Sequence, residues 1–175
     1  MNDVSDLQLQ TKRLVLRPYS SGDLESLHRF LGDPETMSYY PEPYSRERVQ
    51  GVIERNQKTW RESHFGLLVV IQRENNEIVG DCGITLQNID GTREFEVGYR
   101  FSKDYWGRGY ALEAAKAVVE YGFRTLGLRR LCSYMPTEHH ASRRVAEKVG
   151  MTFEKSFRNS NNRGVLTSVY SISAS

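Results

Sequence analysis

The chain is poor in cysteine and proline and has no long apolar run. Among its 175 residues are two cysteines and five prolines. Cys82 and Cys132 lack the spacing of a metal site or a redox pair. A disulfide framework is excluded, and a reduced, cytoplasmic setting is expected. No apolar stretch approaches the roughly 18 residues that a membrane span needs. The opening Met1-Asn2-Asp3-Val4 is polar and acidic, unlike a signal peptide. Charge of one sign is missing as well: 24 Lys and Arg against 22 Asp and Glu leave a net +2. That balance offers no basic field for general nucleic-acid binding. Repeats, linkers and low-complexity tracts are absent. What is there is an ordinary aliphatic and aromatic share, enough for a substantial core in one domain over residues 1–175.

The most informative stretch is Trp106-Gly107-Arg108-Gly109-Tyr110-Ala111. It lies between a strand-like run, residues 95–101, and a helical run, residues 111–126. Two glycines opening a helix let consecutive backbone N–H groups turn toward one point. The helix N-terminus adds partial positive charge, and Arg108 can add a full one. A dinucleotide fingerprint would need Gly or Ala where Leu112 stands, and an acid near Arg129 and Arg130. A P-loop would need Gly-Lys, and no such pair occurs. An anion-binding turn and a plain glycine-rich connection both remain open on spacing alone.

Pattern predicts the other elements in order. Residues 7–17 read as one strand ended by Pro18. Ser20 to Asp23 has capping-box spacing before Leu24, Leu27 and Leu31 at helical period, with His28 as a packed side chain on that face. Residues 34–44 are a loop with Tyr39, Tyr40, Pro41, Pro43 and Tyr44, either a packed connection or a substrate wall. Ser45 caps a second helix through Trp60, in which Gly51 implies a tight contact or a bend. Residues 65–72, 77–87 and 95–101 form an antiparallel meander, with a turn at Asp90-Gly91. Gly98 in the third of these strands fits a bulge or a close backbone approach. Residues 129–135 cross back parallel in a βαβ unit. A helix over 140–149 ends at Gly150, and strands follow over 152–158 and 165–173.

Three stretches carry a resemblance. Trp106 to Ala111 with Glu113-Ala114 is similar to the acyl-CoA pyrophosphate loop of the GNAT acetyltransferases, in the variant of the RimJ/RimL-type ribosomal-protein N-terminal acetyltransferases. Thr11-Lys12-Arg13-Leu14-Val15-Leu16-Arg17 resembles the same group near its start. Ala141-Ser142, then Val145 and Glu147-Lys148-Val149-Gly150-Met151, resembles its last motif. Two positions depart: Trp106 stands where many GNAT loops have Gln or Arg, and His139 where Asn is usual. The resemblance implies an α/β GNAT fold, a mixed, mostly antiparallel sheet with a central βαβ unit flanked by helices. It also implies an N-acetyltransferase using acetyl-CoA as cosubstrate, without a metal.

By that resemblance Trp106, Gly107, Arg108, Gly109, Tyr110 and Ala111 hold the cofactor diphosphate. Backbone groups of Tyr99, Arg100 and Phe101 pair with the pantetheine arm and polarise the thioester, and His139 is a further contact or proton donor. The tyrosine that many family members use as general acid is replaced by Ala146, and Ser142 is the substitute. Ser142 as acid and Ser142 as a helix-start cap both stay open. A general base is sought in Glu94 or Glu96, with Glu96 preferred and a solvated strand face as the alternative for each. Cys82 and Cys132 are expected to be packed thiols, and His139-His140 lacks a third zinc ligand.

The expected acceptor is a protein or peptide N-terminal α-amine of ribosomal-protein type, because an α-amine near pKa 8 needs only a weak base. A small amine such as an antibiotic, polyamine or amino-acid derivative is the alternative. A non-catalytic acyl-CoA sensor is the reading outside enzymes. No nucleic acid and no membrane are expected as partners, and a homodimer stays open.

Overall fold

The computed structural model of the protein describes residues 6–175, so the reading of Met1 to Val4 lies outside the described residues. The first strand-like run is broken in space. β1 (Leu9–Gln10) and β2 (Leu14–Pro18) are separate strands paired antiparallel across a turn. The single strand expected over residues 7–17 is therefore corrected, and the cause is non-local. The Arg13 N–H and the Thr11 hydroxyl turn out of the strand path to donate to Glu113, in the case of Arg13 a partner 100 residues further on.

A 3₁₀ turn, Ser21–Asp23, leads into α1 (Leu24–Leu31), which buries Leu27, Phe30 and Leu31. α2 (Arg46–Ser63) starts at Ser45, whose hydroxyl accepts the Arg48 N–H at 3.1 Å. Gly51 causes neither the expected bend nor a tight backbone contact. The helix runs unbroken, and a Cβ there would meet only the end of the Arg55 side chain, at 3.2 Å.

β3 (Leu67–Gln72), β4 (Glu77–Ile89) and β5 (Thr92–Phe101) form the antiparallel meander. Asp90 and Gly91 turn the β4–β5 hairpin with φ of 50° and 84°, the left-handed pair that a two-residue loop demands. Gly98 makes no bulge; it pairs in register with Gly83. The close backbone approach is at Gly83, where a Cβ would lie 2.1 Å from the Gly66 carbonyl oxygen.

α3 (Tyr110–Arg124) crosses to β6 (Arg130–Pro136), parallel to β5. α4 (His140–Val149) ends at Gly150 with φ of 107°, and β7 (Thr152–Asn159) and β8 (Val165–Ser173) complete the chain. The eight-stranded sheet has the order β1-β2-β3-β4-β5-β6-β8-β7.

Strand alternation separates two cores. Val69 of β3 faces α1 and α2, with Leu27, Leu31, Val49 and Ile53. Leu68, Val70, Ile84 and Val97 face α3 and α4, with Ala115, Val118 and Ala146. Each face thus has its own helical layer, and groups on β5 are sorted between them by odd and even number.

Candidate active site

The site begins where the sheet comes apart. β5 and β6 pair only at Glu96 and Cys132. Beyond that point β5 stays bonded to β4 as far as Phe101, while β6 stays bonded to β8. The Ser133 hydroxyl donates to the Val97 carbonyl at 2.6 Å, which marks the side of β5 that faces the opening. Alternation turns the backbone groups of Val97, Tyr99 and Phe101 to that side and those of Arg100 to β4. Of the three residues expected along a pantetheine arm, Tyr99 and Phe101 thus offer groups to the gap. The Arg100 side chain points to the α1–α2 face, where it grips the fully buried Asp81 through two hydrogen bonds of 3.0 and 2.6 Å.

A glycine cradle closes one end of the gap. Lys103–Tyr105 forms a 3₁₀ turn, and Gly107 and Gly109 follow with φ of 75° and 80°. A Cβ on Gly107 would stand in open space, so the protein leaves the outer side of this turn uncovered. The half-exposed Trp106 folds back and donates Nε1–H to the Phe101 carbonyl at 2.8 Å, fixing the turn to the end of β5. The Arg108 guanidinium, expected over the cradle, is turned back: Nη2 donates to the Asp104 carbonyl at 3.2 Å and the group lies over the Tyr105 ring. Tyr110 is buried and Ala111 opens the helix. Two left-handed glycines, uncovered at Gly107, with the start of a 15-residue helix behind them fit the diphosphate of acetyl-CoA.

A cavity of about 400 Å³ runs through the gap, walled on the α1–α2 side by Tyr39, Tyr40, Tyr44 and Glu96 and lined as well by Tyr99, His139 and Ser142. The tyrosine-rich loop is therefore a wall of this cavity, as the functional reading of it expected. Asn162, in the β7–β8 turn, donates from Nδ2 to the Tyr39 carbonyl at 2.9 Å and fastens that wall. Glu96 accepts from the Thr85 hydroxyl at 3.1 Å, and burial pushes its carboxyl up to about 7. Glu94, the other candidate base, is held by Arg130 Nε and Nη2 at 3.1 and 3.2 Å. Its place on the same strand face was legible, but the arginine that occupies it comes from β6.

Across the sheet, Ser142 and Tyr99 meet. The Ser142 hydroxyl donates to the Tyr99 hydroxyl at 3.3 Å, and that hydroxyl donates to the Ser142 carbonyl at 2.8 Å. Ser142 is not the helix cap. That place belongs to His139, whose Nδ1 accepts the Ser142 N–H at 3.5 Å. His139 also stacks on Tyr39, with ring centroids 3.9 Å apart. Burial, helped by His140, lowers its imidazole to about 4. At neutral pH the ring is therefore uncharged, and with Nδ1 accepting the Ser142 N–H it carries its one proton on Nε2. Burial raises both thiols, Cys132 up to about 12, which leaves Cys82 and Cys132 as packed, unreactive groups.

Sequence reasoning singled out the Thr11 to Arg17 stretch without giving any side chain in it a task. Arg13 in fact reaches the glycine cradle, donating Nη1–H to the Arg108 carbonyl at 2.9 Å. The signal available was an Arg two residues after a Thr, in a chain whose loop motif carries a glutamate.

The family profile described as "Acetyltransferase (GNAT) domain" matches residues 13–152. YkkB of Bacillus subtilis (strain 168) is 33% identical over 155 residues, covering 88% of this chain and 90% of that one. The acetyltransferase from Agrobacterium tumefaciens str. C58 has a TM-score of 0.81 at 29% identity, over 97% of this chain and 96% of that one. RimL, the ribosomal L7/L12 α-N-protein acetyltransferase solved with coenzyme A, has a TM-score of 0.80 over 95% of this chain and 98% of its own. At 15% identity that likeness shows the fold alone. With the sheet order, the cradle and the matched profile together, the chain belongs to the GNAT acetyltransferases and is an N-acetyltransferase.

Proposed function

We propose that the protein acetylates the α-amine of a protein or peptide N-terminus, with acetyl-CoA as donor, Glu96 as general base and Ser142 as proton source. The carrying observation is the Glu96 carboxyl, raised to about 7 in the wall of the tyrosine-lined cavity. A base of that strength matches an α-ammonium near pKa 8 and is far from a lysine near 10.4. In this reading the Gly107 and Gly109 turn and the start of α3 hold the diphosphate, with Trp106 bracing the turn. Tyr99, Phe101 and His139 line the arm.

Acetyl-CoA supplies an activated acetyl thioester. Glu96 takes a proton from the amine as the new C–N bond forms. The C–S bond breaks, and Ser142, oriented by Tyr99, delivers a proton toward the leaving thiolate. Burial keeps the Tyr99 hydroxyl protonated, and it donates that proton in a hydrogen bond to the Ser142 carbonyl, so Tyr99 orients the serine while solvent replaces the serine proton. The two groups lie on opposite faces of the sheet, which matches an acceptor entering from the α1–α2 side and a donor from the α3–α4 side.

The whole chain acts as one domain in this reading, and two buried free thiols suit a reduced cytoplasm. RimL acts on a ribosomal protein, and the Thr11 to Arg17, loop and Ala141-Ser142 stretches support a ribosomal-protein acceptor here. A second reading, a small primary amine, is favoured by the roughly 400 Å³ cavity under a wall fastened by Asn162. An assay of peptides with free and blocked N-termini beside antibiotics, polyamines and amino-acid derivatives separates the two. Turnover of free-N-terminus peptides alone supports the α-amine acceptor; turnover of small amines alone overturns it.

A further inference from the structure

The guanidinium of Arg13 is held on three sides. Nε donates to Glu113 Oε2 at 2.7 Å and Nη1 donates to the Arg108 carbonyl at 2.9 Å. Its plane lies over the Tyr110 ring, 4.5 Å from the centroid. The same glutamate accepts from the Thr11 hydroxyl at 2.6 Å and the Arg13 N–H at 2.8 Å through Oε1. The β1–β2 turn is thereby latched onto the first turn of α3. Arg13 Nη2 has no hydrogen-bond partner among the described residues. It stands 3.4 Å from where a Cβ on Gly109 would be. So the one unused edge of this guanidinium lies against the second glycine of the cradle. Arg108, by contrast, spends its side chain on Asp104 and Tyr105.

We propose that Arg13 is a diphosphate-binding residue of the acetyl-CoA site and that Glu113 is its positioning residue. This rests on the assignment of the Gly107 to Ala111 turn as the cofactor cradle, and on nothing about the acceptor or Glu96. The physical case is preorganisation. A guanidinium already fixed by a carboxylate, a carbonyl and a ring loses little side-chain freedom when an anion meets its free edge. Planar N–H donors suit phosphate oxygens, and the partial positive charge of the α3 N-terminus adds to them. It also accounts for the break between β1 and β2: the turn that interrupts them delivers Arg13 to the loop.

The test is calorimetric binding of coenzyme A to the full chain, with turnover of acetyl-pantetheine, which has no diphosphate, as the control donor. Arg13→Ala is expected to weaken coenzyme A binding about tenfold and to lower acetyl-pantetheine turnover by a clearly smaller factor. Glu113→Ala is expected to lose a similar factor, and the double variant no more than either alone, since both act through one group. Equal loss with coenzyme A and acetyl-pantetheine would mean that the latch only holds the fold, and the proposal fails. Additive losses would overturn the positioning role of Glu113. Unchanged coenzyme A affinity in a folded Arg13→Ala, set beside a loss in Gly109→Asp, would overturn the role of Arg13 while keeping the cradle. If Gly109→Asp also binds normally, the cradle assignment itself falls.

Discussion

Thr85 and Glu96 face each other across the β4–β5 ladder, and the Thr85 hydroxyl donates to the Glu96 carboxylate at 3.1 Å. This bond favours the charged carboxylate, while burial favours the neutral acid and wins, leaving the group at about 7. Activity should therefore rise with pH through about 7 as Glu96 loses its proton. Glu96→Gln should lower kcat by about 10²–10³ and remove that limb of the profile. A pH–rate series of the two proteins checks it; an unchanged limb in Glu96→Gln assigns the base elsewhere.

The same carboxyl makes a stability prediction of known sign. Its folded value lies above an unfolded one of about 4.5, so the folded state holds the extra proton between them. Its contribution is fully present below about pH 4.5 and is lost as pH rises through about 7. Glu96→Gln should match the parent near pH 4 and exceed it by about 3 kcal/mol at pH 8. Urea denaturation at the two pH values reads this directly.

Ser142 and Tyr99 should act as a pair. Ser142→Ala is expected to lower kcat by about tenfold or more while coenzyme A affinity holds. Because the cap of α4 is His139, the variant should melt within about 0.5 kcal/mol of the parent. A stability loss without a kcat change would mark Ser142 as structural. Tyr99→Phe should reproduce part of the kcat loss, since it removes the hydroxyl that Ser142 addresses.

His139 gives a test that separates capping from chemistry. Its imidazole is neutral down to about pH 4, below an ordinary value of 6.5. The stability it contributes is present above pH 6.5 and is lost as pH falls toward 4. His139→Asn offers an amide oxygen to the Ser142 N–H, so it should keep the cap and lose this acid sensitivity. His139→Ala should cost about 1 kcal/mol at neutral pH. Thermal melts at pH 5 and 7.5 distinguish the three proteins.

Where structure depends on neighbours in the chain, the sequence could be read. The Asp90-Gly91 hairpin, the Ser45 cap, the Gly150 stop and the Gly107 to Ala111 turn all follow from local backbone demands. Errors arise where a distant partner decides. A strand was expected through Thr11 and Arg13 because nothing nearby announces Glu113. Glu94 and Glu96 look equivalent along β5; Arg130 from β6 neutralises one and the tyrosine wall desolvates the other. Gly51 suggests strain by composition alone, yet it sits in a plain helix whose neighbours leave it room. The side chain of Arg108 could not be aimed from its motif, since the Asp104 carbonyl that captures it lies in an irregular turn.

The single β5–β6 register pair has a mechanical consequence. The sheet is two ladders, β1 to β5 and β6 with β8 and β7, in register at Glu96 and Cys132. Around that pair the seam is tied further by the Ser133 hydroxyl on the Val97 carbonyl and by Arg130 on Glu94. The seam is therefore anchored at one end and parted from Tyr99 onward. The proposed base sits at the anchored end, so the same strand that offers free backbone groups at Tyr99 and Phe101 holds Glu96 fixed from both sides.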